Sequence, residues 1–74
     1  MSMVGAVHTT RLVIDPVHQS IASTSDGLQI NHVLDEGILK RLAAVGRITP
    51  EITDWLTRMV ASTREIGADL AVVS

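Results

Sequence analysis

The residues best equipped for chemistry in this chain stand near its start: His8, Thr9 and Thr10, directly after an apolar run at residues 3–7. In an open α/β sheet, ligands bind at the carboxyl ends of parallel strands. Two hydroxyls and exposed backbone amides at such a point suit a carboxylate or a phosphate. The plainer reading gives Thr9 and Thr10 only loop and capping duties. Ser74 follows a second apolar run, Leu70 to Val73, and faces the same edge if that run is a strand. His8, Thr9, Thr10 and Ser74 are therefore the candidate substrate-binding residues.

Other reactive side chains carry weaker signals. His32, Asp35 and Glu36 are close in sequence, but their spacing matches no standard ligand set, so no metal site is assigned. Asp35 reads better as a helix cap and Glu36 as an anion in the first helical turn. His18 falls near the polar edge of a helix and reads as a surface residue. Trp55, the only aromatic side chain of the Phe, Tyr and Trp set, reads as a core or interface anchor. No Gly-rich phosphate fingerprint is present. Cysteine is absent and no serine sits in an elbow motif, so no catalytic residue is named within the chain.

Six elements must position these residues. Residues 3–7 read as a first strand. Val13, Val17 and Ile21 recur at intervals of four beside Ile14 and Ala22, which is a helical stripe. Pro16 fits only a first turn, so the regular helix is expected to begin near Asp15. A polar loop at residues 23–27 ends in Asp26-Gly27. Leu28, Ile30 and Val33 mark a second strand. Ile38, Leu39, Leu42, Ala43 and Val45 give the next helix an apolar face, and Gly46 ends it. Thr49, Pro50 and Glu51 open a third helix by cap, first-position proline and first-turn anion. That helix is lined by Ile52, Leu56, Met59, Thr63 and Ile66, with Asp54 and Arg58 paired on its wet side. Gly67 closes it, and residues 69–74 read as a third strand. Right-handed crossovers then predict an α/β three-layer sandwich on a parallel sheet, Rossmann-like, with strand order 2-1-3. The third strand would form an exposed apolar edge, which natural sheets avoid, so the architecture is expected to be incomplete or partnered.

Composition narrows the function classes. With 74 residues the chain makes one domain at most, and its 46% hydrophobic content is globular. Net charge is −2 and the six basic residues are scattered, which excludes a phosphate-tracking stripe and argues against nucleic acid. No apolar run reaches the roughly 18 residues of a membrane span, and no secretory leader pattern opens the chain. A cytoplasmic location is the expectation.

Four segments taken in order resemble the aspartate/glutamate racemase superfamily, which also includes hydantoin racemases and arylmalonate decarboxylases. His8-Thr9-Thr10 after a strand, followed by Pro16-Val17, is similar to its opening. Val33-Leu34-Asp35-Glu36-Gly37-Ile38-Leu39 is similar to its Leu-Asp-Glu-Ser-Leu-Leu segment. Thr49-Pro50-Glu51-Ile52 resembles the start of its long helix, and Gly67-Ala68-Asp69-Leu70-Ala71-Val72-Val73-Ser74 its Gly-Ala-Asp strand before the first catalytic cysteine. The resemblance implies a cofactor-independent enzyme of two α/β lobes, with a cysteine from each lobe acting as acid or base at the α-carbon of a small amino or carboxylic acid. Residues 8–10 would help hold the substrate carboxylate. This chain departs from the pattern in having no cysteine, and it would be the amino-terminal part of one lobe, with the cysteines lying outside it.

The competing expectation is a complete, non-catalytic α/β interaction module that forms a homo-oligomer through its third strand and the Trp55 region. A receiver-like signalling domain fits less well, since no acidic cluster follows the first strand to hold magnesium.

Overall fold

The computed structural model describes residues 2–24 and 26–74; Met1 and Ser25, the latter in the polar loop read at 23–27, lie outside the described residues. Three parallel strands, β1 (Met3–His8), β2 (Gln29–Leu34) and β3 (Leu70–Val73), pair in the order β2-β1-β3. A short 3₁₀ turn (Arg11–Val13) leads into helix α1 (Ile14–Ala22), and helices α2 (Glu36–Val45) and α3 (Pro50–Glu65) lie between β2 and β3. This is the α/β, Rossmann-like parallel arrangement with strand order 2-1-3 that the sequence predicts.

Local chemistry explains the boundaries. The Asp35 carboxylate accepts from Gly37 N at 2.8 Å and caps α2. Gly46, at φ 80°, takes the left-handed conformation that ends that helix. Thr49 Oγ1 accepts from Ile52 N at 3.3 Å, and Pro50 opens α3 without wasting an amide. Pro16 lies in the first turn of α1, where its missing N–H costs nothing. Compared with expectation, β1 runs one residue further to His8, β2 starts after Leu28, and β3 starts after Asp69. The Asp69 carboxylate instead receives Met3 N at 3.0 Å, tying the two strand starts together.

The strands' two faces do different work. Val7 joins Ile38, Ile52 and Met59 in a buried core against α2 and α3. Gly5 shares that face, and there α3 comes so close that a Cβ on Gly5 would lie 2.5 Å from Thr63 Cβ. Thr63 has no room to retreat, because it is buried and its hydroxyl donates to the Val60 carbonyl at 2.7 Å. Val4, Ala6 and His8 alternate to the opposite face, and all three are buried.

Three expectations are corrected. The apolar face of α2 is narrower than its sequence suggests: Ile38 is buried and Leu42 half-buried, whereas Leu39, Ala43 and Val45 are exposed, with none of the described residues covering that flank. Ile66, past the end of α3, is exposed as well. Arg58 does not reach the Asp54 carboxylate but donates to its backbone carbonyl at 3.4 Å. An exposed pair of that kind contributes only about 0.3–0.5 kcal/mol, too little to hold the side chain.

The outer strand is open. Leu70 is 63% and Val73 52% exposed, and Val73 continues into an apolar groove with Ile48, Leu56 and Val60. The radius of gyration, 13.0 Å, exceeds the roughly 11 Å of a compact chain of this length. Among the described residues, no helix is long and apolar enough to cross a membrane.

The Gly5 contact makes a prediction. Gly5→Ala overpacks the β1–α3 interface and is expected to cost about 1–3 kcal/mol. The sole tryptophan, half-buried Trp55, reports this as a lower urea midpoint in fluorescence. An unchanged midpoint would mean that α3 does not approach the sheet so closely.

Candidate functional site

The site begins with a burial problem. His8 ends the central strand with no exposed surface, so both ring nitrogens need partners inside the protein. Strand register supplies one of them. His32 of β2 lies opposite Ala6, two residues before His8 on the same face, and its side chain reaches the His8 ring. His8 Nε2 and His32 Nδ1 are 2.8 Å apart. On the other side His8 Nδ1 meets Ser74 Oγ at 3.0 Å, because β3 brings Ser74 beside the end of β1. His32 uses its second nitrogen as well, with Nε2 2.9 Å from His18 Nδ1 on α1.

Ser74, His8, His32 and His18 thus form one unbroken hydrogen-bonded line. The ring centroids are 5.0 Å and 5.1 Å apart. Those separations equal the nitrogen-to-nitrogen distances plus two imidazole radii, so the rings meet edge to edge rather than face to face. Each hydrogen bond therefore points along the lone pair it uses. The line runs from exposed α1, across the sheet, to the carboxyl edge.

Backbone bonds brace that edge. Ser74 N donates to the Val7 carbonyl at 2.9 Å, Thr9 N to the Ser74 carbonyl at 3.3 Å, and Asp35 N to the His8 carbonyl at 3.0 Å. The Thr9 amide is consequently engaged in the sheet and is not a free anion donor. Thr10 caps the 3₁₀ turn, its Oγ1 accepting from Leu12 N at 3.4 Å, which leaves its own hydroxyl hydrogen to give. Arg11 follows, with its guanidinium 3.6 Å from the Glu36 carboxylate. Both partners are well exposed, so this pair is weak and exchangeable.

Electrostatics favour the neutral forms of His8 and His32. Burial lowers the His8 pKa from 6.5, and the nearby His32 charge lowers it further. The His32 pKa is also lowered, first by burial and then by His18, while Asp15 on α1 pulls it back upward.

Of the four residues singled out in the sequence, the structure joins His8 and Ser74 directly and holds Thr9 and Thr10 in the adjoining loop. It separates the group His32, Asp35 and Glu36. His32 turns to the other histidines, Asp35 caps α2 and accepts from Trp55 Nε1 at 2.9 Å, and Glu36 pairs with Arg11. His18 is exposed, as expected of a surface residue, yet it completes the line. His18, His32 and Arg11 were the residues missed. Aligning the strands in order 2-1-3 would have put His8 and His32 on one face. A broad hollow lined by Glu51, Trp55, Arg58, Met59 and Ser62 touches none of the candidate residues. The chain matches no protein-family model, no curated protein and no solved structure.

The lowered histidine pKa values predict how stability varies with pH. Between the folded-state values and about 6.5, the unfolded chain binds more protons than the folded one. The stabilisation is therefore fully present above pH 6.5 and is lost as pH falls through the lowered values. Urea midpoints followed by Trp55 fluorescence are expected to fall between pH 7.5 and pH 5. A flat or rising midpoint would contradict neutral, buried histidines.

Proposed function

We propose that this chain is the amino-terminal segment of a cofactor-independent enzyme like the aspartate/glutamate racemases, acting at the α-carbon of a small amino or carboxylic acid in the cytoplasm. The observation that carries this reading is the His8–Ser74 hydrogen bond, which draws the carboxyl ends of two adjacent parallel strands together beside the loop of Thr9 and Thr10. In parallel α/β sheets that edge is where substrates bind.

Removing a proton next to a carboxylate needs a base, an acid and stabilisation of the enolate-like charge that develops. The cysteines that would serve as base and acid lie outside this chain. What the chain contributes is the carboxylate pocket. Thr10 has a hydroxyl hydrogen to donate, Ser74 has one whenever His8 Nδ1–H donates to it, and Arg11 can exchange its loose hold on Glu36 for a bidentate grip on a substrate carboxylate. Arg11 adds to the pocket a cation that the loop hydroxyls lack.

Titrating the ¹⁵N-labelled chain with aspartate as probe tests this. Amide shifts are expected to concentrate at Thr9, Thr10 and Arg11, with Arg11→Ala weakening the titration about tenfold, the effect of a lost charge-assisted bond. The same sample in D₂O is expected to show no exchange of the aspartate α-proton, since the thiols are missing. Shifts scattered over the surface, or none, would contradict the pocket. Turnover by a chain of verified mass would contradict the division of labour.

A second reading rests on the open β3 edge with its exposed Leu70 and Val73. In it the chain is a non-catalytic α/β module that forms a homo-oligomer by pairing there. Sedimentation at rising concentration separates the two. A dimer abolished by Val73→Lys supports the module, and a monomer at all concentrations excludes it.

A further inference from the structure

We propose that His18, His32 and His8 act as a relay that carries a single proton between solvent at α1 and the Ser74 hydroxyl at the carboxyl edge of the sheet. The proposal deepens the reading of that edge as the reacting one and rests on it.

Counting hydrogens sets what the line can hold. Three imidazoles offer six ring nitrogens, and four of them are used up in the two inter-ring bonds. Each such bond has room for one hydrogen. With one more on each outer nitrogen, His8 Nδ1 and His18 Nε2, the line holds four hydrogens at most. Three neutral rings carry three. The array therefore accepts one excess proton without breaking a bond, and that proton can reside on any of the three rings. A second would force two N–H groups to face each other.

The neutral line also has two complete arrangements. In one, Ser74 donates to His8, His8 to His32, and His32 to His18. In the other, every donor and acceptor is reversed. A proton arriving at His18 Nε2 forms one N–H bond there and breaks the His18 Nδ1–H bond. The released proton passes to His32 Nε2, that of His32 Nδ1 to His8 Nε2, and that of His8 Nδ1 to Ser74 Oγ. Ser74 gives its own hydrogen to the enolate-like oxygen of a carboxylic acid substrate bound at the edge. Each ring forms one bond and breaks one, the positive charge travels the whole way, and a proton returning resets the line.

The surroundings suit this task. His8 is sealed from water, so its proton has no exit except along the line. His18 is exposed and can exchange with solvent. Asp15 on α1 is the carboxylate that acts on His32 and favours its charged form, and His18 and His32 oppose charge on their neighbours. Neutral rings at rest with one favourable site for a passing charge are what a relay requires.

Nitrogen NMR of the ¹⁵N-histidine-labelled chain across pH tests the relay without any substrate. The expected result is one shared inflection for the first proton at all three histidines. The four inner nitrogens are expected at shifts intermediate between protonated and bare, because their hydrogens move. His18→Gln removes one of the three rings that the proton can occupy, and His32 and His8 are expected to keep one shared inflection. Three separate inflections, or inner nitrogens fixed at limiting values, would overturn the proposal and leave only structural hydrogen bonds. Should His18→Gln fail to fold, the wild-type shifts decide alone. A relay that fails while aspartate still titrates the loop would leave the proposed pocket standing, and the converse would leave the relay.

Discussion

The structure turns on the burial of His8 at the end of the central strand. An imidazole cut off from water must satisfy two nitrogens, and an unpaired one costs about 1–3 kcal/mol. Each neighbouring strand supplies one partner, His32 from β2 and Ser74 from β3. The strand order β2-β1-β3 is therefore written into polar contacts as well as into the apolar core. His32 then presents a second nitrogen that α1 satisfies through His18, so the same need fixes the helix over its face of the sheet.

The opposite face follows the ordinary logic of a small aliphatic core. Val7, Ile38, Ile52 and Met59 close around a contact so tight that only glycine fits at position 5. One side of β1 is thus packed by shape and the other held by hydrogen bonds.

Much of this was legible in the sequence. Thr49-Pro50-Glu51 declared the start of α3, Asp35 and Gly46 bounded α2, and crossover handedness placed β1 in the middle. His8, Thr9, Thr10 and Ser74 were legible because strand ends are where polar residues gather. The histidine line was not. Its bonded pairs are separated by 14, 24 and 66 positions in the chain, and only strand register and the docking of α1 bring them together. Sequence proximity instead pulled His32 toward Asp35 and Glu36. Alternation along β2 sends His32 to the α1 side, while Asp35 and Glu36 belong to the start of α2. The exposed flank of α2 was likewise invisible, because helical periodicity gives a face without saying how much of it finds a neighbour.

The central claim is that neutral rings share hydrogens along one continuous line from α1 to the sheet edge. Neutron diffraction from a deuterated crystal grown near pH 7.5 tests it most directly. The account predicts one deuteron in each inter-ring hydrogen bond and one at the His8–Ser74 contact, with no ring doubly protonated. A cationic ring in the resting protein, or two rings turned so that lone pair faces lone pair, would contradict it.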